Sequence, residues 1–169
     1  MVVLSTVKSL AMTAAVLSGA IQDCNDAQDL GKQIAGCSLY ISSGQAEGEN
    51  LVTAYVNRAI AQTGKKQYKK AFADFDAALK VDSANWLVLY NRGIVNLDLG
   101  KDEEAIADFG SAIEADPTTG IAYYNRGLVY ERSGKLREAA EDFRRAVELD
   151  PNDANAKAHL DSLTAEPQG

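Results

Sequence analysis

The sequence predicts an all-α protein, a solenoid of antiparallel helix pairs. Three observations carry that prediction. The chain repeats itself at a fixed interval of 34: "VNRA" at 56–59, then "YNRG" at 90–93 and again at 124–127. Within each interval, apolar residues recur at helical spacing in two runs, with a turn between them. Ser83, Pro117 and Pro151 then close the successive units at one register. The totals fit a single globular domain: 169 residues, 46% hydrophobic and 24% charged. A net charge of -7 argues against a nucleic-acid partner, because phosphate binding needs a basic face.

Residues 1–20 contain no acid and one base, Lys8, and their apolar run from Leu10 ends in Ser18-Gly19-Ala20. A short basic lead, a short apolar stretch and small closing residues form the pattern of a secretory signal peptide, with cleavage expected after Ala20. The run is too short to span a bilayer, which takes about 20 apolar residues. An amphipathic or frayed first helix is the alternative. Cys24 follows Ile21-Gln22-Asp23, which is not a lipidation context. The expectation is therefore an exported protein, periplasmic or secreted, with no membrane insertion once the leader is removed. Residues 21–51 read as a degenerate leading half-repeat and loop. Its helix falls at 28–43, and "SSGQAEGEN" at 42–50 is the polar connection.

Three full units follow at 52–85, 86–119 and 120–153. Tyr55, Leu89 and Tyr123 align, as do Arg58, Arg92 and Arg126, then Ala59, Gly93 and Gly127. In the second helix of each unit, Ala71, Ala105 and Ala139 align, followed by Asp74, Asp108 and Asp142, then Phe75, Phe109 and Phe143. Gly64, Gly100 and Gly134 are placed in the turns, where a positive φ is expected. Gly93 is expected to lie opposite Ala105, letting the paired helices approach closely. Residues 154–169 form a capping helix and tail, with Ala156, Leu160 and Leu163 on one face and Asn152 or Asp153 as the N-cap.

With "YYNRGLVY" and "AAEDFRRAVELDP" in view, the chain resembles the tetratricopeptide repeat family, whose pattern includes Gly, Tyr, Ala, Phe, Ala and Pro at these intervals. The resemblance covers 52–153 and implies a right-handed α-solenoid with a concave face lined by the first helix of each repeat. It departs from the family at Arg in place of the usual Leu before the Gly, and at Gln62 and Asn96 in place of the usual Tyr. Ala59 and Ser83 make the first repeat the least regular. The resemblance implies that the concave face binds peptides or partner segments. Tyr90, Tyr124, Ile94, Leu128, Leu87 and Ile121 are expected on that face. Some members of the family hold a C-terminal carboxylate there with Lys and Arg. Val56, Tyr90 and Tyr124 occupy the matching positions in this chain, which argues against that use.

Asn57, Asn91 and Asn125 precede the Arg column and turn about 100° away from it, toward the concave side. They resemble the Asn ladder with which family members hold a peptide main chain. Alternatively, each bonds the neighbouring repeat. Arg58, Arg92 and Arg126 stand sixteen positions before Asp74, Asp108 and Asp142, which predicts partly buried structural ion pairs, within a repeat or across adjacent repeats. Anion binding by these arginines is the alternative.

Shifting the repeat frame back by one interval places Cys37 in the Ala71 column and Cys24 in the Arg58 column. Those columns face each other, so a Cys24–Cys37 disulfide is expected, in keeping with an oxidising compartment. Two buried free thiols are the alternative. Two Cys and His159 make a poor metal site, and no metal or cofactor is expected. His159 has no nucleophile partner, the carboxylates lie on helix surfaces, and no phosphate loop is present, so no catalytic residues are assigned. The function expected is a non-catalytic interaction scaffold for a protein or peptide partner in the envelope or the secreted space. A structural subunit of a larger complex, a self-associating protein or an enzyme accessory module are the other classes.

Overall fold

The computed structural model describes residues 13–165. Nine α-helices and no strands form among the described residues: α1 (Ala14–Asn25), α2 (Leu30–Ser42), α3 (Gly48–Gly64), α4 (Tyr68–Val81), α5 (Trp86–Asp98), α6 (Asp102–Ala115), α7 (Gly120–Arg132), α8 (Leu136–Leu149) and α9 (Ala154–Thr164). Consecutive helices pair antiparallel and the pairs stack in chain order, giving a right-handed solenoid. Residues 1–12 of the expected leader lie outside the described residues, and its last residues, 14–20, are helical.

The repeat core is small residues packed around one ring per pair. Phe75, Phe109 and Phe143 are fully buried, as are Ala71, Ala105 and Ala139. Gly93 meets Phe109 rather than the expected Ala105. A Cβ on Gly93 would stand 2.8 Å from Phe109 Cε1, and one on Gly127 would stand 2.9 Å from Phe143 Cε1. The glycines therefore make room for a ring edge, not for a bare backbone approach.

The turn column also differs from expectation. Positive φ falls at Lys66 (57°), Gly100 (70°) and Gly134 (74°), the same register position in each of the three repeats. Gly64 instead closes α3 within the helix. At the helix starts, Asn85 accepts from Val88 N–H, and Asp153 accepts from Asn155 and Ala156 N–H, which settles the N-cap of α9.

In the full chain α1 pairs with α2, and residues 14–20 of α1 belong to the expected leader, so that only residues 21–25 of α1 lie in the expected leading half-repeat. Its register is also offset. Leu30 opens α2 and Tyr68 opens α4, so the two starts are separated by four positions more than the repeat interval. The additional positions extend α3, which has 17 residues where α5 has 13. Cys37 consequently takes the buried place of Phe75, not that of Ala71. The pairing of Cys24 with Cys37 is present nonetheless, with a Cα–Cα distance of 4.4 Å. Gly36 permits the close approach: a Cβ there would lie 2.7 Å from Ala20 O and from Cys24 N.

The last helix, α9, repeats half of a unit. Ala156 is fully buried, as are Ala122 and Val88 one and two repeats earlier. Leu160 stands in the Arg column and Asp161 in the Gly column. Thus α9 keeps the face that meets α8 and lacks the residues that would receive a partner helix.

Candidate functional site

Helices α3, α5 and α7 each turn one stripe of side chains to the open side. Helical spacing groups Thr53, Asn57 and Ile60 on α3, Leu87, Asn91 and Ile94 on α5, and Ile121, Asn125 and Leu128 on α7. Each stripe is an apolar or hydroxyl residue, an amide, then a branched apolar residue. Ile60, Leu87 and Ile121 are 43%, 44% and 52% exposed, a high value for side chains of this size. Tyr90 and Tyr124 are half-buried beside them. Each is tilted against the phenylalanine of its own repeat, with ring centroids 5.8 Å apart. All the groove residues expected from the sequence thus share one face.

The three asparagines are held by their own amides. Asn91 Nδ2 donates to Leu87 O at 2.7 Å. Asn125 Nδ2 donates to Ile121 O at 2.8 Å and to Tyr90 Oη at 3.3 Å, which joins two repeats. Asn57 Nδ2 reaches Cys24 O at 3.2 Å and Asn25 Oδ1 at 3.1 Å. Both readings of the column therefore have a structural counterpart. Asn57 and Asn125 brace the neighbouring unit, while among the described residues no donor meets the Oδ1 of any of the three. An amide fixed by its N–H groups and open at its oxygen can accept from a peptide N–H.

The arginines serve the architecture. Arg58 grips Asp74 at 2.7 and 2.8 Å, and Arg126 grips Asp142 at 2.8 Å through two nitrogens. Arg92 grips Asp108 at 2.6 Å and crosses to Asp76 of the preceding repeat at 3.2 Å. Arg58 crosses in the same way to Ser38 Oγ at 3.0 Å. Each aspartate paired within its repeat is buried. Each guanidinium is held above its ordinary value, first by its hydrogen bond to Asp. The bonds run within a repeat and across the boundary, so they fix both the pair and the stacking.

His159 and Glu131 belong to the same face, and the sequence reading missed them. His159 Nδ1 lies 2.8 Å from Glu131 Oε2. Its ring stacks on Phe143 at 4.9 Å and meets Tyr124 edge-on at 5.9 Å. The signal was available, because His159 stands one full repeat after Asn125 and continues the asparagine column into α9. Burial raises the Tyr90 and Tyr124 phenols, and at Tyr124 the Asp153 and Glu131 charges add to it.

On the outer side, a cleft of about 330 Å³ opens between α4 and α6, lined by Phe72, Arg92, Asn96 and Lys101 among others. Asn96 at its floor donates to Asp108 Oδ2 at 2.9 Å. In the next repeat, Tyr130 stands at the equivalent position, with Arg126 and Lys135 at 5.8 and 5.7 Å from its ring. Among the described residues, no group of three or more His, Cys, Asp or Glu side chains could hold a metal ion.

Comparison with known proteins agrees with this geometry. Tetratricopeptide repeat patterns match residues 52–85 and 120–153, and a TPR repeat pattern matches 97–134. The chain is similar to the TPR domain of Arabidopsis OM64, at 30% identity over 67% of this chain and 93% of that one, with a TM-score of 0.62. It is similar to the second TPR domain of human RPAP3, solved in complex with the HSP70 peptide SGPTIEEVD, at 28% identity over 69% and 97%, with a TM-score of 0.62. MamA from Desulfovibrio magneticus shares the fold, at 23% identity over 90% and 85%, with a TM-score of 0.73. Among curated proteins, none matches this chain.

Proposed function

Because the chain belongs to the tetratricopeptide repeat family, we propose that it is a non-catalytic scaffold whose concave groove holds a peptide or helical segment of a partner protein. The observation that carries this reading is the set of exposed stripes on α3, α5 and α7. Each offers at least one exposed or half-exposed apolar side chain beside an amide oxygen that accepts no hydrogen bond among the described residues. Main-chain bonds to the amides supply attachment that tolerates many sequences, and the apolar side chains supply selection. The similar RPAP3 domain was solved with a bound peptide, which supports the assignment.

The proposal extends to location. The leader-like pattern of 1–20 and the Cys24–Cys37 disulfide together favour an exported protein and a partner in the envelope or the secreted space. Residues 14–19 of α1 bury little, whereas Ala20 and Cys24 are buried. Removal of the segment would therefore cost chiefly the contact of Ala20 with α2. N-terminal sequencing and intact mass of the protein from the exported fraction test this. A native N-terminus at Met1 with two free thiols sinks it.

Site-specific photo-crosslinking tests the groove. A photoreactive residue at Ile121 should give partner adducts in the native cell, and one at the exposed Glu141 of α8 should not. Asn91→Ala, whose amide bonds only its own helix, should weaken capture while leaving the melting temperature nearly unchanged, the lost peptide bond contributing about 0.5–1.5 kcal/mol. Equal crosslinking from both positions would count against the groove.

A further inference from the structure

We infer that the segment held in this groove is apolar and basic, with Lys or Arg flanking the side chains that seat against Leu87, Ile94, Ile121 and Leu128. The inference rests on the groove being the binding face. Charge decides the rest. The basic residues of α3, α5 and α7 are Arg58, Arg92, Arg126 and Arg132, and every one is already bound to a carboxylate: Asp74, then Asp108 with Asp76, then Asp142, then Asp102. None is left to meet an acidic ligand without breaking an ion pair that holds the repeats together.

The acids on the same face are differently placed. Asp98 continues the stripe of Leu87, Asn91 and Ile94, is exposed, and has no salt-bridge partner among the described residues. Glu131 continues Tyr124 and Leu128 and holds only His159. Asp153, at the start of α9, lines a hollow together with Ile121, and its charge, like that of Glu131, adds to the rise of the Tyr124 phenol. A carboxylate entering here would lose water and find like charge, which disfavours acidic segments. A Lys or Arg would find Asp98, Glu131 and Asp153, with the faces of Tyr90 and Tyr124 beside them. The overall charge of -7 draws the same class of ligand from a distance.

A random dodecapeptide display library, panned against the full chain at low salt, tests the inference. Selected peptides are then titrated by fluorescence anisotropy. Three proteins are compared: wild type, Asp98→Asn with Glu131→Gln, and Leu87→Ala with Ile121→Ala, each confirmed folded by its thermal melt. The amide replacements keep size and one acceptor oxygen while removing the negative charge. The expected winners carry apolar residues with an excess of Lys or Arg, and weaken about fivefold on the charge-neutral variant. Their affinity should also fall as salt rises. Winners that are acidic, or that bind the charge-neutral variant as well as wild type, overturn the inference. The groove reading survives that result if the same winners weaken on the Leu87/Ile121 variant. Winners indifferent to that variant, or no winners at all, overturn both.

Discussion

Lys66 holds a φ of 57° in the column where Gly100 and Gly134 stand. A side chain in the left-handed region costs about 1–2 kcal/mol, so Lys66→Gly should raise stability by roughly 1 kcal/mol in denaturant unfolding. A neutral or destabilising result would show that Lys66 contributes something the turn does not reveal. The sequence misled here because Gly64, two positions away, is the more visible turn residue, and only the strict interval identifies Lys66. The within-repeat arginine pairs were legible, whereas the crossings to Asp76 and Ser38 were not singled out by the spacing. A spacing of sixteen with opposite charge on antiparallel helices leaves little choice of partner. Arg92→Leu and Asp108→Leu should each destabilise by about 2–4 kcal/mol, below the fully buried limit because Arg92 is partly exposed. In the double-mutant cycle their coupling should be about 1–3 kcal/mol, and additivity would refute the pair. The asparagines were half legible. Their face followed from helical geometry, but the choice between bracing and binding depends on which amide atoms are already committed.

At the scale of the helix pair, the second repeat is short of a ring. Asn96 contributes one hydrogen bond to Asp108, worth about 1 kcal/mol. Burying a tyrosine ring there would contribute about 1.5–3 kcal/mol, with Arg92 and Lys101 placed as Arg126 and Lys135 are around Tyr130. Asn96→Tyr should therefore stabilise the protein by about 1 kcal/mol and fill the outer cleft. A lower melting temperature would mean that Asp108 needs its second donor more than the cleft needs filling. The leading pair is where the sequence was least legible. Its helices obey the same physics, but a four-position offset breaks the interval that located every other residue. The disulfide was foreseen from a frame that turned out to be displaced, and two cysteines leave only one intramolecular pairing. Cleaving it should cost about 3 kcal/mol for a loop of this separation. The loss should appear as faster amide exchange in α1 and α2, with α5 to α8 unchanged.

Over the whole molecule, each pair touches chiefly its neighbours, so stability is set locally and passed along the stack. Removing residues 154–169 would uncover Phe143 and Tyr124 and leave α7 and α8 without the His159 stack. Hydrogen exchange should then accelerate in α8 and α7 and leave α3 and α4 as they were; uniform acceleration would contradict nearest-neighbour coupling. The same arrangement separates growth from closure. Because α9 buries Ala156 where α7 buries Ala122, a duplicated repeat placed ahead of it would offer α9 the same small-residue seat. The number of rungs in the groove is then open to change by gene duplication alone, with no redesign of that seat. A lineage, or an engineer, could lengthen the striped face in whole steps and keep one closing helix throughout.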